Sequence, residues 1–411
     1  MDRNDRPPSA LATRCCIAGG GPAGLMLGFL LARAGVDVVV LEKHADFLRD
    51  FRGDTIHPST MDILDQLGLL DEFLTLPHQK VERLAAYFSG AALTLADFSH
   101  LPVRARFIAM MPQWDFLDFL GRHARRYPNF RLIMRGEAIA LIDTGGRIAG
   151  VRADGPDGRL DIAADLVVAA DGRDSRLRTQ AGLAVEDYGA PMDVLWFRLA
   201  RSPSDTAETQ ARFDAGRIFI MLNRGDYWQC ALVIPKGRNE RVRAEGLAAL
   251  RRSVGPLLPF DASRAGEIRD WDQVKLLSVQ VNRMPVWWRT GLLCIGDAAH
   301  AMSPVGGVGV NLAVQDAVAA ANALAGPLLT ATLTDSDLAA VQRRRAWPTK
   351  VTQALQRAVQ NRVIAPALAA QGPLTPPLVV RLIAAIPGLA RIPARVIGLG
   401  VRREHVRTRA S

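Results

Sequence analysis

The sequence predicts an α/β architecture in three parts: a parallel-stranded domain, an antiparallel β-sheet inserted into it, and a C-terminal helical region. Three observations predict it. A glycine-rich turn near the N-terminus stands between an apolar run and a helix-forming run. Strand-like runs rich in β-branched and aromatic residues crowd between an Asp-Gly turn at Asp171 and a Gly-Asp turn at Gly296. Prolines and arginines break up the residues after 365.

The first element is Arg14 to Ala18, an apolar run that reads as a buried strand. Gly19, Gly21 and Gly24 follow in a GxGxxG turn with Pro22 and Ala23 inside it, and Leu25 to Ala34 has helix-forming composition. Val36 to Leu41 is a second strand, ending at Glu42, 18 residues beyond Gly24. The glycines are needed for different physical reasons. Gly19 permits a tight turn, Gly21 lets backbone approach a pyrophosphate, and Gly24 lets helix and strand pack closely. The free N–H groups at the helix start attract the anion. A carboxylate at Glu42 accepts ribose hydroxyls and repels a 2′-phosphate. The pattern indicates a Rossmann-like domain with a bound dinucleotide, and does not by itself separate NAD from FAD.

Later stretches narrow this. Pro58 suits the first turn of a helix carrying Met61, Ile63, Leu64 and Leu67, which leaves Arg52 and His57 in the loop before it, His57 as an exposed loop residue. Gln113 precedes another helix with Leu117 and Leu120. Leu166 to Ala170 is a buried strand ending in Asp171-Gly172, with Arg173, Arg176 and Arg178 close by. Such a turn can serve phosphates but is common. Leu292 to Ile295 is another, so Gly296 and Asp297 lie at a strand's carboxyl end, where open α/β sheets bind ligands. Pro304, Gly307 and Gly309 then lead into a helix from about Val310, with Asn311 in its first turn. Glycines let backbone lie against a large ring, and the helix start presents about half a positive charge to it.

The 411 residues are 49% hydrophobic and 22% charged, and the chain length favours two domains or one with an insertion. No apolar run reaches about 18 residues and the N-terminus lacks an apolar signal core, so a cytoplasmic protein without a transmembrane segment is expected. Cys15, Cys16, Cys230 and Cys294 form no CxxC pair, and no metal site is expected. Of the +10 formal charge, the residues from Pro377 contribute seven arginines against one glutamate. The excess is largely a tail feature, which argues against a nucleic-acid groove.

Taken together, GxGxxG with Glu42, the DG turn, and GDAAH…P…GxGxN from Gly296 to Asn311 resemble the single-component FAD-dependent aromatic hydroxylases, the para-hydroxybenzoate hydroxylase-like flavoprotein monooxygenases. The resemblance spans roughly residues 12 to 365. It implies FAD as cofactor and NADH or NADPH as co-substrate. By that resemblance the first motif, Glu42 and the adjoining Lys43 hold the AMP half, and Arg52 contacts FAD phosphate near the substrate. Gln113 contacts the ribityl or pyrophosphate, and Asp171 is linked to FAD and NAD(P)H. Asp297 binds the ribityl chain, Gly307 to Asn311, with Gly309 and Val310, line the ring, and Pro304 lies beside the reacting position. The implied reaction is hydroxylation of an aromatic or polyketide-like molecule by O₂ through a flavin C4a-hydroperoxide. Two alternatives stay open, a flavin-dependent reductase of an isoprenoid-type double bond and a non-catalytic flavin-binding redox protein. Tyr227-Trp228-Gln229 and Ile234-Pro235 do not match the WxWxIP signature of flavin halogenases.

The resulting division is a discontinuous FAD-binding domain (12–80, 107–184 and 281–365), a β-sheet substrate domain (81–106 and 185–280) and a C-terminal cap (366–411). Trp196, Arg198, Phe219, Met221, Trp228 and Gln229 are pocket candidates from the sheet, with His57 from its loop. Pro327 to Trp347 is expected to link two helical runs, and Pro387 and Pro393 to cut the tail into short helices. The tail is expected to pack on the core, with contact to an anionic membrane as the other possibility. A monomer or a homodimer fits.

Overall fold

The computed structural model describes residues 9–48, 55–88, 90–206, 208–386 and 388–411. The strand Ser9–Ala18 runs parallel to Val38–Glu42 on one side and to Gly158–Ala169 on the other. Phe130–Met134 and Leu292–Cys294 extend the parallel layer at either flank, and Trp288–Arg289 closes one edge. A meander of Glu137–Thr144 and Arg147–Gly155 pairs antiparallel onto the long Gly158–Ala169 strand. The central strands are apolar and enclosed, Val38–Glu42 being buried at every position. Their buried residues merge with those of α1 (Pro22–Arg33), α2 (Pro58–Gln66), α3 (Gln113–Ala124), α4 (Gly309–Leu329) and α5 (Asp335–Val359) into one core.

Helix α1 begins with Pro22 at its first position, where a missing N–H costs nothing, and α2 does the same with Pro58. Helix α4 is apolar enough and the segment Val305–Leu329 long enough to cross a membrane, but 72% of its most apolar window is buried within the fold. It is a core helix. The expected link from Pro327 to Trp347 is far shorter: Pro327 lies in the last turn of α4, and α5 starts at Asp335 on a Thr334 capping box, so Trp347 is mid-helix.

The inserted sheet has seven strands in the order Lys275–Leu277, Met192–Ala200, Tyr227–Pro235, Arg217–Asn223, Gln210–Asp214, Arg83–Phe88 and Ala91–Asp97. Strands from the segment after Val81 thus pair with strands from beyond Val185. One face, with Phe197, Phe219, Met221, Trp228 and Cys230, packs on Leu250, Val254 and Leu257 of its own helical cover. The other face, with Val194, Trp196, Ile218, Ile220 and Ala231, packs with Val305, Ile364 and Ala367 toward the parallel domain. The helices Leu378–Ala385 and Arg391–Leu399 rest on the outer strand Ala91–Asp97. Pro393 does not break a helix, because it sits in the first turn of the second one, where proline is tolerated. Pro387 lies outside the described residues.

Candidate active site

Four adjacent parallel strands end side by side, and the predicted loops follow their carboxyl ends: Gly296-Asp297, Asp171-Gly172, the GxGxxG turn and Glu42. Gly19 takes φ +109°, and a methyl group placed on it would lie 2.3 Å from the Ala170 carbonyl oxygen, so the first turn touches the DG turn. A methyl group on Gly296 would lie 3.1 Å from Ala23 Cβ, so the first helix touches the GD turn. Arg178 binds the last two loops together: Nη1 donates to the Ala298 carbonyl at 2.8 Å and Nη2 to the Arg173 carbonyl at 2.9 Å. Arg173 in turn lies 3.8 Å from Asp297 Oδ2, while Arg176 pairs with Glu137 at 3.4 Å.

Glu42 is buried and oriented by its neighbours. Gly20 N–H donates to Oε2 at 3.1 Å, and His44 N–H donates to Oε1 at 3.0 Å, with His44 Nδ1 2.6 Å from the same oxygen. Neither Gly20 nor His44 figures among the residues singled out from the sequence. Gly20 leaves its mark only in the register of GGG, and His44 has no motif. Lys43 is exposed beside them, and Gln113 is half-buried as the first residue of α3. Arg52 lies outside the described residues.

The glycine loop before α4 is braced from two sides. Thr55 Oγ1 donates to the Gly307 carbonyl at 2.9 Å, and a methyl group on Gly307, at φ +62°, would lie 2.5 Å from that hydroxyl. Asn311 Oδ1 accepts from His57 N–H at 2.9 Å and from Thr60 Oγ1 at 2.7 Å. Its side chain therefore fixes the start of α2 against the loop. From behind, Gln353 Nε2 donates to the carbonyls of Asn282 and Ala301, Gln356 Nε2 to those of Ser303 and Val305, and Gln360 Nε2 to Ser303 Oγ, at 2.8 to 3.1 Å. These buried glutamines hold the Pro304 turn in place. Their signal in the sequence is polar residues recurring at i, i+3 and i+7, on a face that in a soluble helix is normally apolar.

The structure corrects two placements. Phe219 and Trp228, offered as pocket residues, belong to the face covered by Leu250 and Val254. Trp228 spends its indole N–H on Asp205 Oδ2 at 2.9 Å, and Met221 shares that core. Strand alternation puts Trp196, Arg198 and Gln229 on the opposite face, with Ile220 and Ala231. Arg198 there is exposed, its guanidinium 4.7 Å from the centre of the Tyr227 ring.

His57 is fully buried, not an exposed loop residue, because the C-terminal helix covers it. Nδ1 lies 2.8 Å from the Ile397 carbonyl, which requires the proton on Nδ1, and leaves Nε2 a buried acceptor without a partner among the described residues. Burial lowers its pKa from 6.5 to about 4. The unfolded chain therefore takes up a proton below about pH 6.5 that the folded chain refuses until about pH 4. The stability this neutral ring contributes is complete above 6.5 and is lost as pH falls through that window, by roughly 3 kcal/mol. His57→Gln is expected to flatten the fall of urea midpoint between pH 6.5 and 4.5. Parallel slopes in the two proteins would show that the folded ring already titrates normally.

The residues fit a FAD. Asp171 accepts from Leu177 N–H through Oδ2 at 3.3 Å, and its Oδ1 is buried with no partner among the described residues. A methyl group on Gly21 would meet nothing within 4 Å, so the backbone there faces open space at the start of α1. Fold and site together define a two-domain flavoprotein monooxygenase. A family model described as "FAD binding domain" matches residues 12–354, and the chain belongs to this family of FAD-dependent hydroxylases. It is 30% identical over 367 residues to 6-methylpretetramide 4-monooxygenase of Streptomyces rimosus, covering 89% of this chain and 87% of that protein. It is 29% identical to rifampicin monooxygenase of Streptomyces venezuelae, covering 73% of this chain and 61% of that longer protein. The solved structure of p-nitrophenol 4-monooxygenase from Pseudomonas putida superposes with a TM-score of 0.77 at 20% identity, over 96% of this chain and all of that one, a likeness of fold.

Proposed function

We propose that the enzyme hydroxylates an electron-rich aromatic ring of polyketide type, with NADH or NADPH as reductant and O₂ as oxygen source, in a reducing cytoplasm. The observation that carries this reading is the convergence of the three glycine loops at neighbouring strand ends beneath an apolar sheet face. The names of the relatives support the substrate class: they act on 6-methylpretetramide and rifampicin. Four free, buried cysteines suit a reducing compartment.

FAD, when bound, supplies the chemistry that couples NAD(P)H oxidation to oxygen transfer. The chain's part is binding, orientation and dryness. Gly19, Gly21, Pro22, Ala23 and Gly24 offer the pyrophosphate a helix start, and Glu42, oriented by Gly20 and His44, receives ribose hydroxyls. Asp171 offers its unpartnered oxygen, and Asp297 receives the ribityl chain. Pro304, Gly307, Gly309 and Val310 give the ring a flat bed, braced by Asn311. Trp196, Ile220 and Ala231 face Val305 and keep water from the reacting ring, which is where uncoupled reduction of O₂ is prevented. Arg198 and Gln229 on the same face are the polar groups suited to orienting a substrate. Phe219 and Trp228 have no part in it.

The test is turnover of the FAD-loaded enzyme with a panel of phenolic, fused-ring compounds. One compound is expected to stimulate NAD(P)H oxidation with matching O₂ uptake and hydroxylated product. Turnover that proceeds without O₂ would identify a double-bond reductase instead. In parallel, Asp297→Ala is expected to weaken FAD by at least about tenfold, roughly 1.4 kcal/mol, with lost activity. Full yellow colour and normal turnover in that variant would remove Asp297 from the site.

A further inference from the structure

Between Asp337 and Glu404 the chain holds eleven arginines and lysines and no acidic residue. The same stretch carries eight of the twelve large hydrophobic side chains exposed among the described residues. Five of them cluster at its end: Leu378, Val379, Leu382, Ile386 and Ile392, exposed by 68, 60, 44, 48 and 61%.

The helix Leu378–Ala385 is apolar on every side except at Arg381. It buries Val380 with Ala86 and Phe88 of the substrate sheet. At about 100° per residue, Leu378, Val379, Leu382 and the following Ile386 share one stripe on the side away from Val380. A helix apolar all round is normally enclosed, yet this one is open along that stripe. Ile392 continues the apolar surface onto the helix Arg391–Leu399, and Arg381, Arg391 and Arg395 are exposed alongside. Both helices are seated on the strand Ala91–Asp97, so the face is held in position from beneath.

We propose that this face docks on an anionic phospholipid surface, with the Leu378–Ile386 stripe entering the acyl boundary and the arginines meeting headgroup phosphates. The charge pattern selects this occupant. A second copy of the chain, packed about a two-fold axis, would bring the same arginines together with no acid in the stretch to pair them. An anionic bilayer supplies negative charge and an apolar layer at once. The inference goes beyond the hydroxylation and does not rest on it.

Sedimentation of the FAD-loaded full chain with vesicles tests it. Binding to phosphatidylcholine vesicles containing about 30% phosphatidylglycerol is expected to exceed binding to phosphatidylcholine alone by at least tenfold at low salt. The Leu378→Ser/Leu382→Ser variant and, separately, the Arg381→Glu/Arg391→Glu/Arg395→Glu variant are each expected to lower it about tenfold. These side chains are exposed, so unfolding midpoint and FAD content should stay at the wild-type values. Equal binding to neutral and anionic vesicles would overturn the proposal, as would variants that bind like wild type. A wild-type dimer in light scattering that the serine variant dissociates, with no vesicle binding, would assign the face to self-association instead.

Discussion

Arg345→Met is expected to destabilise the enzyme by about 3–5 kcal/mol and to loosen its hold on FAD. Arg345 is 1% exposed, and its Nε donates to Asp316 Oδ1 at 2.9 Å. Its Nη1 reaches Glu404 Oε1 and the Arg402 carbonyl, both at 3.2 Å. The other oxygen of Asp316 accepts from Gly296 N–H at 3.1 Å and lies 2.6 Å from His300 Nε2. One buried chain of charge thus runs from the C-terminal strap through Arg345 and Asp316 to the turn that carries Asp297. Burial alone would raise the pKa of Asp316, but His300 and Arg345 more than offset it and hold the carboxyl below its usual range. Methionine keeps most of the volume, so the loss is electrostatic: two buried carboxylates lose a charged partner, Asp316 keeping His300 and Gly296 N–H and Glu404 keeping Arg344.

The pH dependence has a definite sign. A depressed carboxyl pKa contributes stability present above the unfolded value, about 3.9, and lost as pH falls through the folded value. Without Arg345 the folded pKa of Asp316 rises toward or past the unfolded value, so this acid-induced loss shrinks and the stability gap between variant and wild type should narrow as pH falls below about 3.9. Urea unfolding and FAD content after dialysis read both effects. Arg14→Ala provides the control: its pair with Asp165 at 2.7 Å is 42% and 43% exposed, and should contribute less than about 1 kcal/mol. A variant at 345 no worse than that control would show that the buried chain carries no net stability.

What the sequence makes legible here is backbone. Gly19, Gly24, Gly296 and Gly307 each stand where a side chain would crowd a neighbouring turn, helix or hydroxyl, and glycine is the residue that meets such a demand. Strand ends are legible too, because an apolar run stopping at Asp171 or Asp297 marks where the covered sheet opens to solvent. Pairings between distant side chains have no local sign. Nothing near Arg345 reveals that Asp316 and Glu404 share it, and Gln356 looks like any surface glutamine until α5 lies behind the Pro304 turn. The alternation of Trp196 against Phe197 is plain in the sequence, but which face is core depends on the helix around Leu250 that covers one side. His57 fails for the same reason, since its lid comes from Ile397, 340 positions away.

Gly24→Ala and Gly21→Ala are expected to fail in different ways, and the contrast tests the cofactor site itself. A methyl group on Gly24 would sit 1.9 Å from the Gly19 carbonyl oxygen, and 3.2 Å from Ile17 Cγ2. Backbone cannot swing aside as a long side chain can, so α1 must move away from the strand Ser9–Ala18, through buried core that tolerates little shift. Loss of several kcal/mol and protein purified without flavin are the expected results. Gly21 is the opposite case. Its φ of −76° suits any residue, and the methyl group would meet no protein atom within 4 Å. Without flavin, Gly21→Ala should unfold within about 1 kcal/mol of wild type, the poorer N-cap being partly offset by a less flexible unfolded chain. If the open space over that N-terminus is where the pyrophosphate lies, the added methyl group must collide with it, and FAD affinity should fall at least about tenfold. The two measurements separate a glycine required by the fold from one required by the ligand. Wild-type affinity in Gly21→Ala would move the pyrophosphate away from α1, and with it the role assigned to Glu42 at the neighbouring strand end.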